Sequence, residues 1–165
     1  MAGLERGLVQ IYTGDGKGKT TAAFGLVLRA AGWGLRSFVA QFMKQQPSGE
    51  REALKCLAAY VTVKQFGRGG FVRPGRATPE DIDLAHQGLE QARRALLSAE
   101  YDLVVLDEVL TAVSFGLLGE DQVLALMAER PAQVELVLTG HNATPAIVAQ
   151  ADLVTRTVAE KHPYD

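Results

Sequence analysis

Nine residues near the amino terminus, Thr13 to Thr21, read TGDGKGKTT and stand between a short apolar run and a segment of helix-forming composition that begins near Lys19. Gly14, Gly16 and Gly18 free the backbone to curl, so that successive N–H groups point at one place. The positive end of the helix that follows points there too, and the two together make an anion site. Lys19 adds a mobile positive charge and Thr20 a hydroxyl able to ligate Mg²⁺. A strand, a glycine loop and a helix in this order commit a chain to an α/β architecture, in which the strand pairs with parallel neighbours and helices return across the sheet. The expected ligand is the phosphate chain of a nucleotide. The strict pattern G-x-x-x-x-G-K-[ST] would place glycine at position 13, where this chain has Thr13, so the loop is a variant.

The remaining sequence supports that frame. Short β-rich runs at Leu8 to Thr13, Ser37 to Phe42, Val61 to Phe66, Leu103 to Asp107 and Val134 to Thr139 alternate with helical segments, which predicts a mostly parallel P-loop, RecA-like sheet covered on both faces. The runs LVVLD and VELVLTG are almost continuously apolar, as strands in the middle of such a sheet must be. From Thr78 to Ser98 a helix is expected: Thr78 caps, Pro79 suits the first turn, Asp81 closes a capping box, and Ile82, Ala85, Leu89, Ala92 and Leu96 form one apolar face. His86, Arg93 and Arg94 fall on its solvated side. Asp107 and Glu108 end the strand LVVLDE at the edge of the sheet where ligands bind, so they should arrive near Thr20 and hold Mg²⁺ directly or through water.

With 165 residues the chain is expected to form one P-loop domain over 1–165. Its net charge of −2 lacks the basic field of a nucleic-acid binder, which points to small-molecule partners. No apolar stretch approaches the length of a membrane span and Met1 to Arg6 lacks the core of a signal peptide, so a cytoplasmic protein is expected. Cys56 stands alone, which excludes a disulfide or a thiolate cluster within one chain. Flanked by Leu54 and Leu57, it is expected to be buried. Residues 67–79, GRGGFVRPGRATP, cannot be regular throughout; they read as a mobile loop whose single aromatic, Phe71, is either a lid or core filling.

The segments GLVQIYTGDGKGKTTAAFGLVLRAAGWG, QFMK, SGERE, VVLDE, VLTG, ADLVT and KHPYD resemble, in order and over nearly the whole chain, the ATP:corrinoid adenosyltransferase family. The resemblance implies transfer of the 5′-deoxyadenosyl group of ATP to the cobalt(I) of a corrinoid, with triphosphate leaving whole and Mg²⁺ or Mn²⁺ assisting. It implies that Gly14, Asp15, Gly16, Lys17, Gly18, Lys19, Thr20 and Thr21 wrap the phosphates. Thr20 and Glu108 would ligate the metal with Asp107 beside them, and Arg29 would reach the nucleoside. Phe71 matches a loop aromatic that crowds the lower face of the corrinoid, whereas the family's second aromatic is replaced by Arg73. A homodimer supplied with electrons by a flavoprotein is implied as well. The chain departs from the pattern at both ends: few residues precede the first strand, where some members carry a covering helix, and it stops at KHPYD, where His162 and Tyr164 read either as closing the site or as a frayed end. His141 falls at the ligand edge without an assigned role.

Other classes fit parts of the sequence. Glu108 could activate water in an ATP-hydrolysing switch or RecA-like module. A non-catalytic corrinoid carrier would use the nucleotide only as a signal. A nucleoside or nucleotide kinase would need an arginine-bearing lid, for which Arg68, Arg73 and Arg76 are the only material.

Overall fold

In the computed structural model, which describes residues 4–69 and 72–161, the elements follow in the order β1 (Val9–Thr13), α1 (Lys19–Gly32), β2 (Ser37–Phe42), α2 (Gly49–Leu54), β3 (Val61–Phe66), α3 (Pro79–Leu97), β4 (Leu103–Asp107), α4 (Val109–Ser114), α5 (Glu120–Glu129), β5 (Glu135–Gly140), α6 (Pro145–Ala149) and β6 (Leu153–Arg156). A 3-10 turn at Lys55–Leu57 continues α2. The strands make one sheet in the order β3-β2-β4-β5-β1-β6. Every pairing is parallel. The protein is thus α/β as expected, with β4 and β5 at the centre. No helix among the described residues is long and apolar enough to cross a membrane.

The alternation of side chains along the central strands divides the interior in two. Phe38, Val104, Leu106, Leu136 and Leu138 pack with α3, α4, α5 and α6 on one face. Val39, Leu103, Val105 and Val137 pack against Ala23, Phe24 and Val27 of α1 on the other. All five residues of β4 are buried, which is why LVVLD shows no polar alternation. Each fully buried Leu or Phe in these layers contributes about 1.5–3 kcal/mol relative to exposure.

Helix α3 forms as its sequence foretells. The Thr78 hydroxyl accepts from the Asp81 N–H at 3.3 Å, and the Asp81 carboxylate accepts from the Thr78 N–H at 2.8 Å. Ala85, Leu89, Ala92 and Leu96 are buried, Ile82 partly so, and His86, Arg93 and Arg94 are exposed. Gly88 allows the helix to lie directly on the sheet, since a Cβ there would come within 2.9 Å of Phe42 and Phe66 side-chain atoms.

One expectation is corrected and one strand is added. Cys56 is exposed: it lies on the 3-10 turn at the β3 edge, where Leu54 takes the buried position and the turn directs the next residues outward. Strand β6 was not anticipated, because all four of its residues are exposed and carry no apolar period. It exists through pairing with β1, Gln10 opposite Leu153 and Thr13 opposite Arg156.

Between β3 and α3 no regular element occurs among the described residues. The segment is nevertheless fastened. Val72 and Ala77 pack against the core, and Arg68 Nε donates to Asp81 Oδ1 at 2.6 Å. Phe71 lies outside the described residues.

Candidate active site

The loop after β1 owes its shape to two left-handed glycines, Gly14 at φ 107° and Gly18 at φ 102°. Thr13 occupies the place of the missing first glycine without strain because it is still a strand residue, paired with Gly140 and Arg156, and its hydroxyl accepts from the Ala143 N–H at 3.2 Å. The demand for a positive φ moves one residue on, to Gly14. Helix α1 then starts with no side-chain cap and no acid in its first turn. Its leading N–H groups are left to an external acceptor.

Lys19 is 6% exposed. Its Nζ donates to the carbonyls of Gly14 and Gly16, both at 2.7 Å. Among the described residues it pairs with no carboxylate. An ammonium bonded to two carbonyls has a third N–H left to offer. Lys19 borders a cleft of about 380 Å³ lined also by Asp15, Lys17, Thr20, Glu108 and His141 with the intervening loop residues. Asp15 Oδ1 lies 3.8 Å from His141 Nδ1 across its mouth.

Behind the loop, Asp107 is wholly buried and takes four donors. Oδ1 accepts from the Thr20 hydroxyl at 2.9 Å and the Thr139 hydroxyl at 2.8 Å. Oδ2 accepts from Gln41 Nε2 at 2.9 Å and Lys44 Nζ at 2.7 Å. The sheet order explains this convergence: Thr139 comes from β5, the strand inserted between β1 and β4, and Gln41 from β2 on the far side of β4. Glu108, next in sequence, adopts φ 67°. Its N–H donates to Thr139 Oγ1 at 2.9 Å, and its carboxylate accepts from the Thr111 hydroxyl at 2.6 Å.

The set is compatible with a divalent cation. No cage of three His, Cys, Asp or Glu exists among the described residues, but Mg²⁺ is commonly held by one or two protein oxygens, water and the phosphates of its ligand. Thr20 and Glu108 both line the loop cleft, and a hydroxyl and a carboxylate are hard oxygen donors. Asp107 stands one layer back and orients Thr20.

A second cleft, of about 260 Å³, adjoins the first at Thr20 and runs past Gln41, Lys44, Gln46, Glu50 and Arg68. Sequence reading missed Gln41, Lys44 and Thr139. The available signal was a polar residue near the end of an otherwise apolar strand, in SFVAQF and ELVLTG, at the edge where ligands bind. It also missed Thr157, whose N–H donates to Thr13 O at 2.8 Å and whose carbonyl accepts from the Gly16 N–H at 3.2 Å. Its backbone lies so close to Gly14 and Gly16 that neither could carry a Cβ.

Arg29 is not brought to either cleft. It lies ten positions along α1 from Lys19, about 15 Å at the helical rise, and borders a hollow with Gln10, Trp33 and Glu135. Arg29 thus lies away from the loop cleft within one chain, on the hollow beside Trp33. Phe71, His162 and Tyr164 lie outside the described residues.

Comparison with known proteins gives the site its context. The family model described as ATP:corrinoid adenosyltransferase BtuR/CobO/CobP matches residues 5–165. The chain is 37% identical over 161 residues to the corrinoid adenosyltransferase of Pseudomonas aeruginosa, covering 97% of this chain and 79% of that protein. It is 35% identical over 162 residues to the corrinoid adenosyltransferase of Escherichia coli, covering 98% and 81%. A similar match, 33% over 162 residues, joins it to corrinoid adenosyltransferase CobA of Salmonella typhimurium. With a glycine loop, a buried lysine and an acid-tipped central strand assembled at one sheet edge, and the family pattern running through the full fold, this chain belongs to the ATP:corrinoid adenosyltransferase family.

Proposed function

We propose that the chain transfers the 5′-deoxyadenosyl group of ATP to the cobalt(I) of a corrinoid and releases triphosphate. The observation that carries this reading is Lys19, a buried ammonium without a carboxylate partner among the described residues that borders a cleft of backbone amides. An anion as highly charged as triphosphate answers that environment. In the reaction, the electron pair of cobalt(I) forms the cobalt–carbon bond as the bond from C5′ to the triphosphate oxygen breaks. The pair from the broken bond leaves with triphosphate, and cobalt passes formally from I to III. The nucleophile arrives with the substrate, so the protein supplies position and charge rather than a nucleophilic side chain.

In this reading Gly14, Asp15, Gly16, Lys17, Gly18, Thr20 and Thr21 surround the phosphates, while Lys19 draws off charge that grows on the leaving group. Thr20 and Glu108 hold Mg²⁺ or Mn²⁺, which would neutralise triphosphate, and Asp107 positions Thr20. Phe71 is assigned to the lower face of the corrinoid, with Arg73 in place of a second aromatic. A homodimer, an electron-donating flavoprotein and a cytoplasmic setting complete the assignment, the dimer being one route by which Arg29 could meet a nucleoside from a neighbouring chain.

The test is anaerobic incubation of the protein with ATP, Mg²⁺ and chemically reduced cob(I)alamin, following the absorbance spectrum, its sensitivity to light and the phosphate products. A light-sensitive adenosylated corrinoid with stoichiometric triphosphate is expected. ADP and phosphate without adenosylation would instead identify an ATP-hydrolysing switch with Glu108 as its base.

A further inference from the structure

Lys44 occupies the place beside Thr20 and Asp107 where a cation is wanted. Its Nζ lies 2.7 Å from Asp107 Oδ2 and 3.4 Å from Thr20 Oγ1. The carboxylate it neutralises has no exposed side-chain area, whereas the lysine side chain is 34% exposed and can leave. The other donors to Asp107, from Gln41, Thr20 and Thr139, are neutral. Among the described residues Lys44 is therefore the sole positive charge against that carboxylate.

The backbone is built to put it there. Met43, at the end of β2, is a non-glycine residue at φ 56°, a conformation that persists only where surrounding structure imposes it. The Met43 N–H donates to Phe66 O at 2.9 Å, and Gly67 lies so close to the Met43 and Lys44 backbone that a Cβ would overlap it. The turns after β2 and β3 thus brace each other and direct Lys44 over Asp107.

The hydroxyl beside this ammonium, that of Thr20, is one of the two oxygens proposed to ligate the metal, with Asp107 behind it. A metal ligated by Thr20 would lie within a few ångströms of this ammonium, and like charges at that range repel even at the effective dielectric of a protein surface. We propose that Lys44 is a resident counter-ion: it neutralises Asp107 in the free protein, opposes metal binding without nucleotide, and turns into the adjacent cleft, toward Glu50, when a nucleotide brings the metal. That cleft is continuous with Lys44 and lined by Glu50. The inference rests on the proposed metal role of Thr20 and Glu108. Its consequence is that metal and nucleotide bind as one unit.

The experiment titrates Mn²⁺ alone into the full chain, read by electron paramagnetic resonance of the free ion, for the wild type, Lys44→Gln and Lys44→Arg. Titration is then repeated with saturating ATP. Without nucleotide, Lys44→Gln binds Mn²⁺ about tenfold or more tightly than the wild type, Lys44→Arg remains close to the wild type, and ATP narrows the gap. Equal nucleotide-free Mn²⁺ affinity in the wild type and Lys44→Gln, with ATP still recruiting Mn²⁺ to both, overturns the counter-ion role and leaves the metal site standing. Failure of ATP to recruit Mn²⁺ to any variant removes the metal site and this inference together. Should Lys44→Gln not fold unaided, its refolding yield is read against Mn²⁺: a yield that rises with the ion supports the proposal, and one that does not overturns it.

Discussion

Removing the ammonium of Lys19 tests whether its environment serves folding or chemistry. A buried charge held only by two loop carbonyls contributes little net stability, since desolvation offsets what the hydrogen bonds return. In the proposed reaction the same charge would stabilise the departing triphosphate, and one such donor is commonly worth about 10²–10³ in rate. Lys19→Ala is therefore expected to lower kcat by roughly 10²–10³ while the urea midpoint of the nucleotide-free protein hardly moves. Comparable activity in single-turnover adenosylation would sink that assignment. At this scale the sequence was informative where a residue type is tied to a motif, as with Gly14, Lys19, Thr20 and Asp107. It was silent where a residue acquires its role from the sheet order. Gln41 and Thr139 lie nearly one hundred positions apart and meet only because β4 is inserted between β2 and β5. Lys44 needs a left-handed Met43, which nothing in its residue type announces.

Helix α3 carries the clearest pH signature. The Asp81 carboxyl is held below its ordinary range, chiefly by the Arg68 hydrogen bond, with the Thr78 N–H and hydroxyl assisting and burial opposing. The Arg68 guanidinium is correspondingly raised. A carboxyl with a lowered pKa in the folded protein stabilises it fully above the unfolded value, about 3.9, and loses that contribution as pH falls through the folded value. Unfolding free energy should thus be insensitive to Asp81 near neutrality and decline below about pH 4, a decline that Asp81→Asn makes shallower. Thr78→Ala should cost about 1 kcal/mol at neutral pH through loss of the cap. Both are read from urea titrations at several pH values, and an unchanged acid limb in Asp81→Asn would refute the first. The capping residues were legible because TPED is a local pattern. The anchoring of residues 67–69 and 72–78 was not, because it depends on Arg68 meeting a helix that begins eleven positions later.

Across the whole molecule the architecture was readable where strands are buried and obscure where one is not. Strand β6 has no apolar period, and yet the glycine loop after β1 leans on the residue that follows it. Thr157, directly after β6, bonds to Thr13 and Gly16, with its hydroxyl reaching Thr13 O at 3.2 Å and Gly16 O at 3.1 Å. An exposed edge strand has few apolar contacts and should open at a free energy well below that of global unfolding. A loop ordered by an anion, in turn, should hold Thr157 in place, so ligand binding in the cleft and closure of β6 must share free energy. Hydrogen exchange followed by mass spectrometry is expected to show two protected segments on adding ATP with Mg²⁺: residues 14–21, which the proposed function sets around the phosphates, and residues 153–158, which do not line that cleft. Thr157→Ala removes the hydroxyl bonds and keeps the backbone bonds, so it should reduce protection of both segments and weaken ATP several-fold, with little effect on the exchange of β4 and β5. Protection confined to residues 14–21 in the wild type would mean that β6 is scaffold alone, and that the closeness of Thr157 to Gly14 and Gly16 constrains which residues fit there without transmitting anything.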